Sequence, residues 1–260
     1  MWLMSSDHYV EEENLSIAWA RALLATSARG RSEMAPLIVA VTGFNDAGDF
    51  KEEFRIRDAL ETVLTNAGKQ AIHTVANTIF PVSLWNPDAG RHSLFERYKR
   101  LVPRILKASR KNNRGTYFER MISGGPKGNE NQLEFAIHTY LTRNGVRRST
   151  LQIGVFDPNR DHSAAAQLGF PCLQHVTFAP SKAGLCVNAF YAMQYMVERA
   201  YGNYVGVCRL GQFVAHELKL PLARVTCFTG IAECEMPKNK LANLLGTINT
   251  LFGLDRPEDA

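Results

Sequence analysis

Cys172, in the segment GFPCLQHVTF, follows a proline and sits between alternating apolar runs. A thiolate placed there is a nucleophile for an electron-poor carbon. Further along the chain the pair Gly202-Asn203 opens a helical pattern, and Asn203 brings a side chain that donates and accepts hydrogen bonds at once. Reactive thiol plus polar amide is the combination that chemistry at C5 of a pyrimidine needs, because the thiolate adds to the ring while the amide reads its edge. The tandem Arg147-Arg148 adds planar, permanently charged forks suited to a phosphate. Each residue also has a plainer reading. Cys172 suits a small hydrophobe in an apolar strand, the arginine pair a solvated basic turn after a helix, and Asn203 an N-cap for YVGVCRLGQFVA. A strand period of two sets His175 on the opposite face from Cys172, which argues against a Cys-His dyad.

The elements that must position these residues follow from apolar spacing. Helices are expected over Asn14–Ala28, Glu52–Gly68 with Gly68 as its stop, 93–110, Asn131–Gly145 and about Tyr204–Leu218. Pro103 should start, kink or break the third of these. Strands are expected over Pro36–Phe44, Arg147–Pro158, Pro171–Pro180, Leu185–Met196 and Ala223–Glu233, and Ala71–Trp85 reads as extended. Alanine, methionine and glutamine in Leu185–Met196 also suit a helix. Asn86-Pro87-Asp88 and Asp157-Pro158 are turn signals, and the glycine-rich Ile122–Gln132 is a surface loop without the order of a phosphate-binding P-loop.

Composition bounds the partners. A chain of 260 residues with 45% hydrophobic content is enough for one well-buried domain spanning 1–260. The net charge of +5 is spread along the chain, so a small anionic substrate ranks above a nucleic acid. Five cysteines, Cys172, Cys186, Cys208, Cys227 and Cys234, contain no C-x-x-C pair, which points away from a disulfide framework or a metal site and toward a reducing compartment. No apolar run reaches the ~18 residues of a membrane span, and the acidic N-terminus MWLMSSDHYVEEE is unlike a signal peptide. The expected location is the cytoplasm.

Together, NQLEFAI, RRSTLQIGVFDPNRD, PCLQHVTF, GNYVGVCRLGQFVA and TCFTGIAE, about 131–235, resemble the catalytic half of the thymidylate synthase and pyrimidine nucleotide hydroxymethylase family. The resemblance implies a three-layer α/β (α+β) fold on a large mixed sheet, through which two copies dimerise. It implies that Cys172 adds to C6 of a pyrimidine nucleotide, activating C5 toward the one-carbon unit of 5,10-methylenetetrahydrofolate. Arg147 and Arg148 would reach into the active site of the neighbouring subunit, and asparagine at 203 favours a uracil-type ring. For the catalytic carboxylate of the family, Glu96 and Glu119 are candidates, each also suited to a surface salt bridge.

Departures from the family pattern are as informative. Its Arg-Ser-x-Asp segment falls on Ala192, Met193 and Tyr195, so one phosphate ligand is lost. Its sugar-binding His-x-Tyr falls on Glu233 and Glu235, which accept from hydroxyls or cations and repel phosphate, and a glutamine is replaced by Thr177. These changes point to a non-standard pyrimidine or related ring. The competing expectation is a nucleotide-binding sensor or partner subunit that keeps the pocket without the chemistry.

Overall fold

The computed structural model describes residues 8–108, 112, 114–124, 130–162 and 170–254. It begins with β1 (Tyr9–Glu12) and α1 (Leu15–Ser27), whose first turn is capped by Asn14 Oδ1 accepting from the N–H groups of Ser16 and Ile17. Then come β2 (Glu33–Met34), β3 (Leu37–Val41) and α2 (Phe54–Asn66), after which Gly68 takes a φ of +62° that a glycine adopts freely. Four helices follow: α3 (Ile72–Ile79), α4 (Gly90–Ala108), α5 (Tyr117–Ser123) and α6 (Gln132–Thr142). The remainder is β4 (Gln152–Gly154), the short α7 (Pro158–Asp161), β5 (Leu173–Ser181), β6 (Gly184–Tyr195), a π-helical turn (Met196–Ala200), α8 (Tyr201–Leu218), β7 (Leu222–Glu233) and α9 (Ala242–Phe252).

Among the described residues the strands form one open mixed sheet of seven, ordered β1-β3-β7-β6-β5-β4, with β2 also paired to β7. β1 with β3 and β6 with β7 are parallel; the other pairs are antiparallel. The parallel pair at the centre needs a crossover, and the π turn with α8 supplies it, laying α8 over β6 and β7. Leu185, Val187, Ala189 and Tyr191 of β6 and Val225, Cys227 and Thr229 of β7 point into this layer and are buried. On the opposite face Phe190 and Phe228 stack at 5.2 Å, with Phe190 exposed.

α8 is held against α3 at glycine distance. A Cβ on Gly202 would lie 2.7 Å from Val75 Cβ, and one on Gly206 would lie 2.9 Å from Ile79 Cβ. The glycine beside Asn203 is therefore a packing requirement of the two helices.

Several expectations are corrected. Ala71–Trp85 is not extended: Ile72, Val75, Ala76 and Ile79 bury one stripe of α3 at helical spacing, and tertiary packing overrides their β-branched preference. Pro103 neither starts nor breaks α4, because it falls with Lys99 on an exposed turn where the missing backbone rung costs least. The expected strand Arg147–Pro158 shrinks to β4, flanked by a 3₁₀ turn at Arg148–Thr150 and by α7, which Asp157 caps with Pro158 in its first turn. Of the expected loop Ile122–Gln132, residues 125–129 lie outside the described residues, as do residues 1–7 of the N-terminal segment. The ambiguous Leu185–Met196 is a strand. Among the described residues no helix is long and apolar enough to cross a membrane.

Candidate functional site

Cys172 stands immediately before β5, and its carbonyl accepts from the N–H of Ala192 at 3.1 Å. It is the exposed member of the five free cysteines; Cys208, Cys227 and Cys234 are buried and Cys186 is half-buried. Desolvation pushes the buried Cys227 thiol up to about 12, so its reactive form is suppressed. At Cys172 desolvation also raises the pKa, and the guanidinium of Arg199 pulls the other way. Within one chain, then, the cation acting on the thiol is Arg199.

Arg199 lies on the π turn between β6 and α8. Its Nη1 donates to Gln70 Oε1 at 2.7 Å and its Nη2 to Glu198 Oε1 at 3.0 Å, while Lys69 Nζ donates to Glu198 Oε2 at 2.8 Å. The turn itself is pinned from two sides. Trp19 Nε1 donates to the Met196 carbonyl at 2.8 Å, and Glu235 accepts from the N–H groups of Glu198 at 2.6 Å and Val197 at 3.3 Å. Glu235 thus spends both oxygens on the start of the helical segment, and burial holds its carboxyl above the ordinary range despite those bonds. Glu233, at the end of β7, is half-buried opposite Glu33 of β2 and Tyr195 of β6.

Asn203 is not an N-cap. The helix has already begun at Tyr201 behind the π turn, so Asn203 is a first-turn residue, nearly fully buried, and its Oδ1 has no hydrogen-bond partner among the described residues.

The parity that separated His175 from Cys172 is broken by a bulge. Leu173 pairs with Tyr191 but His175 pairs with Phe190, so Gln174 is the extra residue and both Cys172 and His175 lie opposite residues of one face, Ala192 and Phe190. No dyad results: His175 makes no hydrogen bond to the thiol, and burial alone lowers its pKa.

The remaining candidates are dispersed. Glu119 forms a 3.6 Å ion pair with Arg160, and its Oε2 fills the space a Cβ would need at Gly115, where φ is +86°. Two residues before it on α5, Tyr117 puts its hydroxyl at the backbone of Cys172 and Leu173 and within electrostatic reach of Arg199. Two helical positions are about 200° apart, so Tyr117 turns toward the thiol and Glu119 away from it. Glu96 is exposed and paired with Lys99. Asp161 is fully buried in a bidentate pair with Arg120, at 2.7 and 2.8 Å, which ties α5 to α7 and is structural. Arg147 and Arg148 are exposed at the 3₁₀ turn before β4, where Arg148 lines a depression of about 380 Å³ with Tyr140, Arg143 and Pro180. Thr177 accepts from Asn188 Nδ2 at 3.1 Å across β5 and β6.

Tyr117, Tyr191 and Arg199 each lie within electrostatic reach of Cys172, and Asn203 lies on α8, over the Tyr191 face of the sheet. Tyr117 and Arg199 were not singled out from sequence. An arginine after a single glutamate in MVERAYG and a tyrosine in GTYFERM carry no local mark of their target. Comparison of the chain with protein-family models and with curated protein sequences gave no match.

Proposed function

We propose that the chain is a divergent enzyme of the thymidylate synthase type, which transfers a one-carbon unit to C5 of a pyrimidine nucleotide or related ring. The observation that carries the reading is Cys172: it alone of the five cysteines is exposed, in the Pro-Cys context of the resemblance, beside a guanidinium. The thiolate adds to C6 and the C5=C6 electron pair moves to C5, which makes C5 the nucleophilic carbon of the ring; return of that pair expels the thiolate and restores the double bond. Asn203 Oδ1, unspent on the helix, is the ring reader. The reading also draws on the large mixed sheet, the part of the implied fold that is present.

A homodimer with shared sites completes this reading. In one chain the Cys172 thiol lies above its ordinary value and position 192 is an alanine, so cations from a second copy are needed to bind phosphate and bring the thiol down. Arg147 and Arg148 are exposed and able to serve there, and the stacked Phe190 and Phe228 on the open sheet face favour a second copy over it. The resemblance implies 5,10-methylenetetrahydrofolate as donor. Lys69 and Arg199 are spent on Glu198 and Gln70 and do not fit its anionic tail, and no step is derived through the donor.

The same observations favour a second reading, a nucleotide-binding subunit without turnover, since a thiol above its ordinary pKa is a weaker nucleophile source at neutral pH. Mass spectrometry of the protein mixed with pyrimidine nucleotides, with and without methylenetetrahydrofolate, decides between them. A covalent adduct on Cys172 is expected; binding without adduct under every condition would sink the enzyme reading.

A further inference from the structure

Much of the chain's positive charge is concentrated on and just after one helix. Residues 97–118 hold eight of its 30 lysines and arginines and no acid, while the whole chain nets +5, so the rest of it is net negative. On α4 the cations Arg97, Arg100, Arg104 and Lys107 recur at intervals of three and four residues, and all four are exposed. At about 100° and 1.5 Å per residue they fall within an arc of about 80° and run about 15 Å along the helix axis. Leu94, Phe95 and Tyr98, buried on the other side of α4, fix this face outward.

Elsewhere cations are matched by acids: Arg21, Arg57, Lys69, Arg91, Arg120 and Arg224 each pair with a carboxylate. The stripe on α4 has no such match among the described residues. Arg97 Nη1 donates to the Leu84 carbonyl at 3.0 Å and Arg100 Nε to the Glu96 carbonyl at 3.3 Å, which orients both guanidinium groups without neutralising them. Arg104 and Lys107 have no hydrogen-bond or ion-pair partner among the described residues, and Glu96, the one acid of α4, is paired with Lys99 at 3.4 Å. Like charges three and four residues apart on a helix repel, so this face costs the folded chain stability that bound anions would restore.

We propose that this face of α4 is a docking surface for duplex nucleic acid, held through the phosphate backbone without regard to base sequence. A duplex carries about one negative charge per 1.7 Å of its axis, enough to meet all four cations at once, whereas a single small phosphate spans only part of the stripe. A single strand gains much of its affinity from bases stacking on aromatic side chains, and the aromatic residues of α4, Phe95 and Tyr98, are buried. A membrane-surface helix sinks its apolar face into the headgroup boundary, and the apolar face of α4 is taken by the core. The proposal uses no residue of the Cys172 site and stands whatever chemistry that site performs.

The test is fluorescence anisotropy of a labelled DNA duplex of mixed sequence, titrated with the full chain over a series of salt concentrations. With four phosphates neutralised, log K should fall against log salt with a slope of about −3.6, so that affinity drops about a hundredfold between about 50 and about 200 mM. Arg100→Gln and Arg104→Gln should each reduce the slope by about 0.9, and glutamine at 97, 100, 104 and 107 together should abolish binding. Glutamine is a good helix former and the four positions are exposed, so far-ultraviolet circular dichroism should be unchanged; the single variants carry the test if the fourfold one does not fold. Lys51→Gln, an exposed cation outside the stripe, should bind as wild type. No duplex binding at low salt, or equal binding by the fourfold variant, overturns the proposal. So does tighter binding of a single strand of the same length, of polyglutamate or of phosphatidylserine vesicles, each of which would assign the stripe to that partner instead.

Discussion

The N–H of Ala192 donates to the carbonyl of Cys172 over 3.1 Å, so the position where the resembling family carries a phosphate-binding arginine lies directly across the strand pair from the thiol. An uncharged residue thus stands opposite Cys172, and the cation that acts on the thiol within the chain is Arg199 of the π turn, held by Gln70 and Glu198.

Cys172→Ala should abolish turnover and leave fold and ligand affinity nearly unchanged, because the residue is exposed and alanine fills its place without a cavity. Cys186→Ala should behave as wild type. The check is an assay of both variants for adduct and product, and full activity in Cys172→Ala would rule out the mechanism.

Arg199→Gln should raise the Cys172 pKa further, since the guanidinium is the group that opposes desolvation there. Less thiolate forms at a given pH, so alkylation of Cys172 by iodoacetamide should slow and its pH profile move to higher pH. Site-resolved mass spectrometry across a pH series reads this directly; an unmoved profile would show that Arg199 does not act on the thiol.

A mixed dimer of Arg148→Ala and Cys172→Ala subunits should regain up to about half a wild-type dimer's activity, because one of its two sites then holds both groups. Each homodimer alone should be inactive. Subunit exchange verified by tagged copies, with no recovery, would assign the arginines to their own chain.

Gly206→Ala and Gly202→Ala should each destabilise the fold by about 1–3 kcal/mol, since the new methyl meets α3 inside van der Waals contact. Gly202→Ala should also weaken ligand binding, for it displaces the turn that carries Asn203. Urea denaturation with a parallel binding titration separates the two effects, and wild-type stability in both would contradict the close α3–α8 packing.

Glu235 carries a pH signature. Its folded-state pKa is raised, first by burial and then by Glu198, against the lowering from backbone N–H groups. A folded value above the unfolded one means that its contribution to stability is full below the ordinary carboxylate range and is lost as pH rises through the raised value. In Glu235→Gln that loss is absent. The stability of wild type minus that of the variant, measured by urea denaturation at successive pH values, should therefore fall as pH rises through this window, and a flat difference would refute the assignment.

Local periodicity made much of the framework legible. The spacing of apolar residues marked α1, β3, α2, α6, β5, β6, α8 and β7 to within a few residues, because each buries one face or stripe and its pattern repeats along the chain. The same logic failed at α3, whose stripe of isoleucine and valine suits either period until α8 presents Gly202 and Gly206 to receive it. The proposed nucleophile, Cys172, and the proposed ring reader, Asn203, also stood out in sequence, since a lone Pro-Cys and a Gly-Asn near a helix start are chemically conspicuous.

What sequence by itself determined was thus the element types and the identity of residues able to do chemistry. Which of them meet was decided by tertiary structure. The bulge at Gln174 returned Cys172 and His175 to one face, the π turn carried Arg199 toward the thiol, and the start of α8 ahead of Asn203 left its amide unspent. Glu235 was drawn instead to the backbone of that turn. The physical reason is common to all four: a side chain's partner is set by strand register and by where a helix begins, and both depend on pairings between segments far apart in the chain, which no local spacing encodes.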